Sequence, residues 1–418
     1  MRHVTVVDVG TGGLRRDMSV VIVAGRIAAI GAQTPSPPGA EVFDGRGTYV
    51  IPGLWDMHVH LSWTTGSAIP VLIANGVTGV RDMGGALGEL DEWRARIKAG
   101  VLIGPRIVRV GPILNGQKFN QYQLVAGNPD ETRGVVRALK TAGVDIIKIH
   151  RRLPRDSYLA LIDEAKKQGI RIVGHIPMTV TPEEASEAGQ ASIEHTETLF
   201  EGTFSANLKP GELPDAINRF RTDGADRLFA LFVKNHTVET PTLVAFQTVI
   251  TVADPSLPPD SNLRYVAMSL RRDIPALVKQ VSASDLAEYR RTLSEFKEVV
   301  RQMNRDGVTL MAGTDIAGAR IPGFTLHEEL ALLVESGLSP LQALQSATLT
   351  PARFLGQEAD LGSVEVGKLA DLVVLDGNPL DDIRNTRRIS AVVTRGRLLR
   401  RDALDGLLRE GEALARGN

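Results

Sequence analysis

From its first residues the chain alternates apolar and polar positions with a period of two, the spacing of a half-buried strand. Val4-Thr5-Val6-Val7 is followed by Val20–Val23, a turn at Ala24-Gly25-Arg26, and Ile27–Ile30. A proline-rich break over 34–39 and a short strand at Val42–Asp44 complete this opening texture. It returns near the other end in Leu372–Leu375, the turn Asp376-Gly377-Asn378-Pro379, and Ala391–Thr394 ahead of Arg395-Gly396. The two segments, 1–52 plus 355–418, are expected to build one small β-sandwich domain from both chain ends.

Between them, short apolar runs alternate with helical patterns, the signature of βα units on a parallel sheet. The runs are Leu54–Leu61, Val77–Asp82, Arg106–Val110, Asp145–His150, Arg171–Ile176, Ser192–Glu194, Thr242–Phe246 and Thr309–Asp315. Helical stretches such as Glu131–Ala142 and Ser157–Gln168 separate most of them, each stopping near a glycine that can cap a helix. Eight such runs predict an α/β protein whose residues 53–354 close into a (β/α)8 TIM barrel. No Gly-x-Gly-x-x-Gly turn follows the early strands to favour an open doubly wound sheet. The stretch Gln247–Gly307 is too long for an ordinary connection. Pro255, Pro258 and Pro259 mark an irregular loop there, and Ala287–Asn304 reads as an amphipathic helix, either a lid or a surface elaboration.

Composition narrows the chemistry. At 418 residues the chain suits one large barrel plus a modest second module. A net charge of −1 gives no electrostatic case for nucleic acid or an anionic membrane surface, so the expected partner is a small-molecule substrate, with homo-oligomer formation left open. Cysteine is absent, which excludes disulfides and thiolate ligands. No apolar stretch has spanning length. The N-terminus lacks the sections of a secretory signal, so a cytoplasmic chain is expected, although a trimmed exported form would read the same.

In Asp56-Met57-His58-Val59-His60, residues two apart on a strand point to one side, so His58 and His60 present both imidazoles to one place. Such a pair in isolation is as readily a pair of ordinary histidines as a pair of metal ligands. It does not stand alone. His175 ends the run beginning at Arg171, His195 follows Ser192-Ile193-Glu194, and Asp315 ends Leu310-Met311-Ala312-Gly313-Thr314-Asp315. Each lies where an apolar run gives way to a loop, the end of a barrel strand where chemistry is placed. Imidazoles and a carboxylate are ordinary ligands for a divalent ion, with Zn²⁺ the expected metal. Lys148, inside Val144-Asp145-Ile146-Ile147-Lys148-Ile149-His150, is unusual because burying an ammonium is costly. It is either a buried ion-pair member, with Asp315 or Glu194, or an amine whose lowered pKa lets it take up carbon dioxide as a carbamate.

His-x-His on strand one, Lys on strand four, His on strands five and six, and Asp on strand eight resemble the binuclear amidohydrolase superfamily. The segments Val50-Ile51-Pro52-Gly53-Leu54-Trp55-Asp56, Gly313-Thr314-Asp315, and Gly362-Ser363-Val364-Glu365-Val366-Gly367-Lys368-Leu369-Ala370-Asp371 carry the same likeness over essentially the whole chain. It is nearest in pattern to the branch of Xaa-Pro dipeptidases (prolidases) and acyl-amino-acid hydrolases. The resemblance implies two divalent ions. His58, His60 and Asp315 would hold the more buried one, His175 and His195 the more exposed one, and carboxylated Lys148 with a hydroxide would bridge them. It also implies hydrolysis of an amide bond in a dipeptide or N-acyl amino acid, with Asp315 as the catalytic proton carrier. One departure from many relatives is the short connection Arg151–Gly169, so their substrate contacts need not transfer.

Weaker candidates surround this set. His150 should share the inward face of Lys148 and contact substrate; Tyr122 is a candidate donor to an oxyanion; Asp82 is placed either to orient a ligand imidazole or to cap its strand end. Trp63 and Phe246 could line an apolar pocket, and Arg151, Arg152, Arg155 and Arg320 could each meet a substrate carboxylate. His327 reads as a helix-start residue. The competing functions are a lactone, carbamate or phosphoester hydrolase on the same ions, a mononuclear deaminase, and a non-catalytic barrel module.

Overall fold

Runs in which nearly every residue is apolar suit strands buried on both faces, and in the computed structural model, which describes residues 1–417, they form the staves of a barrel. Leu54–Val59, Val77–Asp82 and Arg106–Arg109 pair in parallel. Ile147–Ile149, Ile172–Gly174, Ser192–Glu194 and Val238–Thr240 do the same. The Asp145 amide donates to the Arg109 carbonyl at 2.9 Å and joins the two groups on one side. On the other side the segment 309–315 bonds to both: Glu239 N to Thr309 O, Met311 N to Glu239 O, Met57 N to Ala312 O, and Asp315 N to His58 O. The eighth stave is irregular, and Gly313 shows why. A Cβ there would lie 2.9 Å from that of His58, so the chain can pass this close only without a side chain.

The seventh strand departs from expectation. Thr242–Phe246 is not a strand; Leu243–Ala253 is a helix, and the strand is Val238–Thr240. A five-residue apolar run is compatible with either state, and Pro241 ends the extended segment just before it. Between the third and fourth staves, Ile113–Asn115 and Gln123–Val125 form an additional parallel pair, the first of them bonded to Ile149.

Both chain ends supply one seven-stranded sheet, in the order Arg397–Arg400, Ile389–Thr394, Leu372–Leu375, Tyr49–Pro52, Val4–Val7, Leu14–Val23, Arg26–Gly31. The first half of Leu14–Val23 pairs with Val4–Val7 and its second half with Arg26–Gly31, so hydrogen bonding runs unbroken around the bend. The sheet curls until its two ends meet, with Ala370 donating to Gly25 O and accepting from Gly396 N. Period-two alternation then sorts the side chains. Val6, Val50, Val374 and Val393 face the core enclosed by the curl, while Ile51, Val373 and Val392 join the larger core shared with the barrel. Val42–Asp44 makes no strand, only a single bridge from Asp44 to Arg2. The helix Arg401–Gly417 follows the last strand and packs on Ala68–Ala74 of the barrel. Among the described residues no helix is long and apolar enough to cross a membrane.

The long excursion is mainly helical, with Leu243–Ala253, Ile274–Gln280 and Ala283–Arg305, the last started by a capping box at Ser282 and Asp285 and containing the expected 287–304, while Pro255, Pro258 and Pro259 lie in the expected irregular stretch. Phe246 and Phe296, ring centroids 4.9 Å apart, lock the first of these to the last.

His327 lies in the helix Phe324–Glu335, fully buried, with Nε2 donating to the Asn75 carbonyl at 3.1 Å and Nδ1 3.0 Å from the Thr386 hydroxyl. It therefore ties three elements together rather than starting a helix. Burial, helped by Arg387, pushes its pKa down from 6.5 to about 3. Below the unfolded value, the unfolded chain takes up a proton that the folded chain refuses. The stability present above about pH 6.5 is thus lost as pH falls toward 3, by about 1.4 kcal/mol per unit for this group. Denaturant titrations between pH 7 and 5 should show His327→Gln with a shallower pH slope than the parent; equal slopes would remove His327 from the account.

Candidate metal centre

Barrel geometry brings the C-terminal ends of separate strands to one mouth, and there His58, His60, Lys148, His175, His195 and Asp315 meet. His58 Nε2 is 2.9 Å from Lys148 Nζ and 3.5 Å from Asp315 Oδ1; His60 Nε2 is 3.2 Å from the same carboxylate oxygen. Ring centroids of His58 and His195 are 4.6 Å apart, and those of His175 and His195 are 4.8 Å apart. One donor atom from each of His58, His195 and Asp315 lies within 4.8 Å of the others.

Each of three imidazoles has one nitrogen already engaged. His58 Nδ1 donates to Glu194 at 3.1 Å, His60 Nδ1 to the Gly84 carbonyl at 3.2 Å, and His195 Nδ1 meets the Thr242 hydroxyl at 2.7 Å. Nε2 of His58 then faces Lys148 and Asp315, and Nε2 of His60 faces Asp315, so the tether at Nδ1 turns the other nitrogen into the cluster, the arrangement that orients a histidine toward a metal. His175 Nδ1 is buried with no hydrogen-bond partner among the described residues. Burial holds His58 and His175 well below the usual histidine pKa and His195 at about 3, so these rings are neutral and have a lone pair to offer. Burial also draws Lys148 down to about 8, against the opposing pull of Asp315 and Glu194. Its nearest polar partner is an imidazole; no carboxylate pairs with it among the described residues, so the buried ion pair is not what holds it. In Asp315, burial would raise the pKa, but the Arg320 guanidinium, 2.9 Å from Oδ2, and the neighbouring imidazoles outweigh it. Neutral imidazoles and a carboxylate, with a buried amine beside them that has no anionic partner among the described residues, fit divalent ions.

The backbone is strained where the site is tightest. His195, Thr242 and Asp315 all have positive φ (69°, 49° and 54°), a region costly for side-chain-bearing residues and worst for a β-branched one. Gly174, with φ of 124°, precedes His175 because a Cβ there would lie 2.3 Å from the Ile149 carbonyl oxygen.

The weaker candidates separate. His150 lines the cavity, its ring 4.3 Å from that of His175, and burial takes its pKa to about 3. Trp63 stacks on His60 at 4.2 Å. Tyr122 stands behind Trp63, its hydroxyl given to the Ser62 carbonyl at 3.1 Å, and does not line the cavity; an oxyanion there would not be within its reach. Asp82 accepts from the Leu61 and Gly84 amides, not from an imidazole, so it shapes the strand-end loops that carry His60's partner. Of the four arginines, Arg151 and Arg320 line the cavity, while Arg152 and Arg155 bond to Gln117 and Glu184 away from it.

Sequence reasoning missed the support beneath these ligands. Arg81, completely buried, donates to Glu194 at 2.7 and 2.8 Å, to Ser192 at 2.9 Å and to the Met57 carbonyl. Asp56 accepts from the amides of His58 and Thr314 and from the Thr314 hydroxyl, pinning the first stave to the eighth. The available signal was the one used for Lys148: a charged residue inside an apolar strand run. The cavity holds about 350 Å³, with Leu243, Phe246, Val249, Tyr289 and Phe296 forming an apolar wall opposite the imidazoles. The excursion thus supplies one side of the site.

The sequence profile of the amidohydrolase family matches residues 49–399. The ochratoxinase of Aspergillus niger is 22% identical over 92% of this chain and 82% of its own length. Among solved structures, a Bifidobacterium longum protein assigned as a prolidase superposes with a TM-score of 0.72 at 29% identity, covering 98% of both chains. A bottromycin amidohydrolase superposes with a TM-score of 0.81 at 23% identity, covering 99% of this chain and 90% of that one.

Proposed function

The chain belongs to the amidohydrolase family, and from that membership we propose that it is a hydrolase carrying two divalent ions, probed first as Zn²⁺, that cleaves an amide bond in a dipeptide or N-acyl amino acid. The observation that carries the reading is the tethering of three imidazoles at Nδ1, with Nε2 of His58 beside Lys148 and Asp315 and Nε2 of His60 beside Asp315. His58, His60 and Asp315 would hold one ion, His175 and His195 the other, and Lys148 as a carbamate would bridge them. When bound, such ions lower the pKa of a water and polarise a carbonyl.

The chain's own residues then divide the remaining work. Lys148, with a pKa near 8, has enough neutral amine near physiological pH to add carbon dioxide, releasing a proton and becoming an anion. Asp315, kept ionised by Arg320 and facing the imidazoles, is placed to accept a proton from attacking water and hand it to the leaving nitrogen. Arg151, paired with Glu201, and Arg320, paired with Asp315, line the cavity and offer a substrate carboxylate only the N–H groups those pairs leave free, and the aromatic wall supplies burial for an apolar side chain or acyl group. The A. niger ochratoxinase and the B. longum prolidase-like protein support an amide substrate by their names alone.

The test is metal reconstitution followed by a panel of dipeptides, N-acyl amino acids, esters and phosphotriesters, with His58→Ala alongside. Two ions per chain, amide turnover, and loss of both in the variant are expected. A single tightly bound ion would favour a mononuclear deaminase instead. Turnover confined to esters or phosphotriesters would overturn the amide assignment.

A further inference from the structure

A second cavity lies at the opposite end of the barrel. It holds about 570 Å³ and is lined by residues at the N-terminal ends of the staves: Trp55 on the first, Arg106 on the third, and Arg171 immediately before the fifth. Lys98, closing the helix Leu87–Lys98, and Arg395, in the turn after Ile389–Thr394, complete its rim between barrel and sheet. The catalytic candidates sit at the other ends of the same strands, so this hollow shares no residue with them.

Charge is distributed unevenly around it. Five cationic side chains line the hollow and only one acid does. Arg94 is matched by Asp145 at 3.1 Å and Arg106 by Asp371 at 2.6 Å. Among the described residues, Lys98, Arg171 and Arg395 have no carboxylate partner. Arg171 is nonetheless held in place: its guanidinium donates to the Phe354 carbonyl and lies 4.6 Å over the Phe354 ring. Burial lowers the pKa of both Arg171 and Arg395; on Arg395 the neighbouring Arg106 adds to the effect and Asp371 opposes it. An arginine guanidinium is suited to bidentate recognition of oxyanions, and Arg171 is already positioned for it. Trp55, Ile107 and Leu355 add apolar surface to the same hollow.

We propose that this hollow is a binding site for a small organic dianion, its acidic groups taken by Lys98, Arg171 and Arg395 and its apolar body by Trp55 and Leu355. The site is independent of the hydrolytic centre, and the proposal stands whether or not the amide assignment does.

Calorimetric titration of the metal-loaded full chain at constant ionic strength tests it, with benzene-1,3-disulfonate as a dianion that does not strip metals. Glycerol 2-phosphate and succinate form two further arms that separate phosphate from carboxylate preference. A single saturable site is expected for at least one of the three. Lys98→Gln with Arg395→Gln, whose side chains make no hydrogen bond or ion pair among the described residues, should weaken it by about tenfold or more, and Arg171→Gln similarly. His58→Ala should leave it unchanged. Absence of saturable binding with all three anions would overturn the proposal. So would unchanged affinity in the Lys98/Arg395 double variant, or loss of binding in His58→Ala alone, which would place the anion at the metal centre.

Discussion

Asp315→Asn is expected to lower kcat on the amide substrate by about 10³-fold while leaving the fold intact, within the range for removal of a general base. Asparagine keeps the shape of the side chain but has no basicity with which to carry a proton. The same change removes the charge facing Arg320, so the substrate's KM is an informative second readout. Steady-state kinetics with metal content measured on the same sample distinguish a lost proton carrier from a lost ion. A variant within about tenfold of the parent, at full metal occupancy, would take the proton-carrying role away from Asp315.

Glu194→Gln carries the largest expected cost in stability. Arg81 and Glu194 are both fully shielded from solvent, and the pair is the centre of a web reaching Ser192, the Met57 carbonyl and His58 Nδ1. Neutralising Glu194 leaves the guanidinium buried without a counter-charge, a loss of about 3–5 kcal/mol. It also weakens the acceptor that fixes His58, so metal affinity should fall by about tenfold or more. Urea denaturation of the metal-free chain reads the first effect and competition with a chelator the second. The paired replacement Arg81→Met with Glu194→Leu should recover much of the stability without restoring metal affinity, because it removes the unpaired charge but not the need for an acceptor at His58. If Glu194→Gln unfolded within about 1 kcal/mol of the parent, the buried pair would not be the support described.

The contrast between Lys148 and Arg81 shows why one half of the site was legible and the other was not. Both are cations in buried strands, and both break the apolar pattern in the same way. Lys148 is legible because histidines and an aspartate at other strand ends give it a chemical context. Arg81 has its partner Glu194 more than a hundred residues away, and only the closed barrel puts them 2.7 Å apart. Thr242 is a similar case: as part of an apolar run it suggested a strand, yet it serves as a left-handed hinge whose hydroxyl meets His195.

Periodicity and residue type were enough to predict parallel staves, the sheet drawn from both chain ends, and the four histidines and Asp315 at strand ends, because these depend on local spacing that any fold must respect. Strand closure, the tethering of each imidazole, the aromatic wall brought in by helices 243–253 and 283–305, and the basic hollow beneath the barrel depend on contacts between distant segments. Such contacts are set by packing and by the satisfaction of buried charge, which no stretch of neighbouring letters encodes.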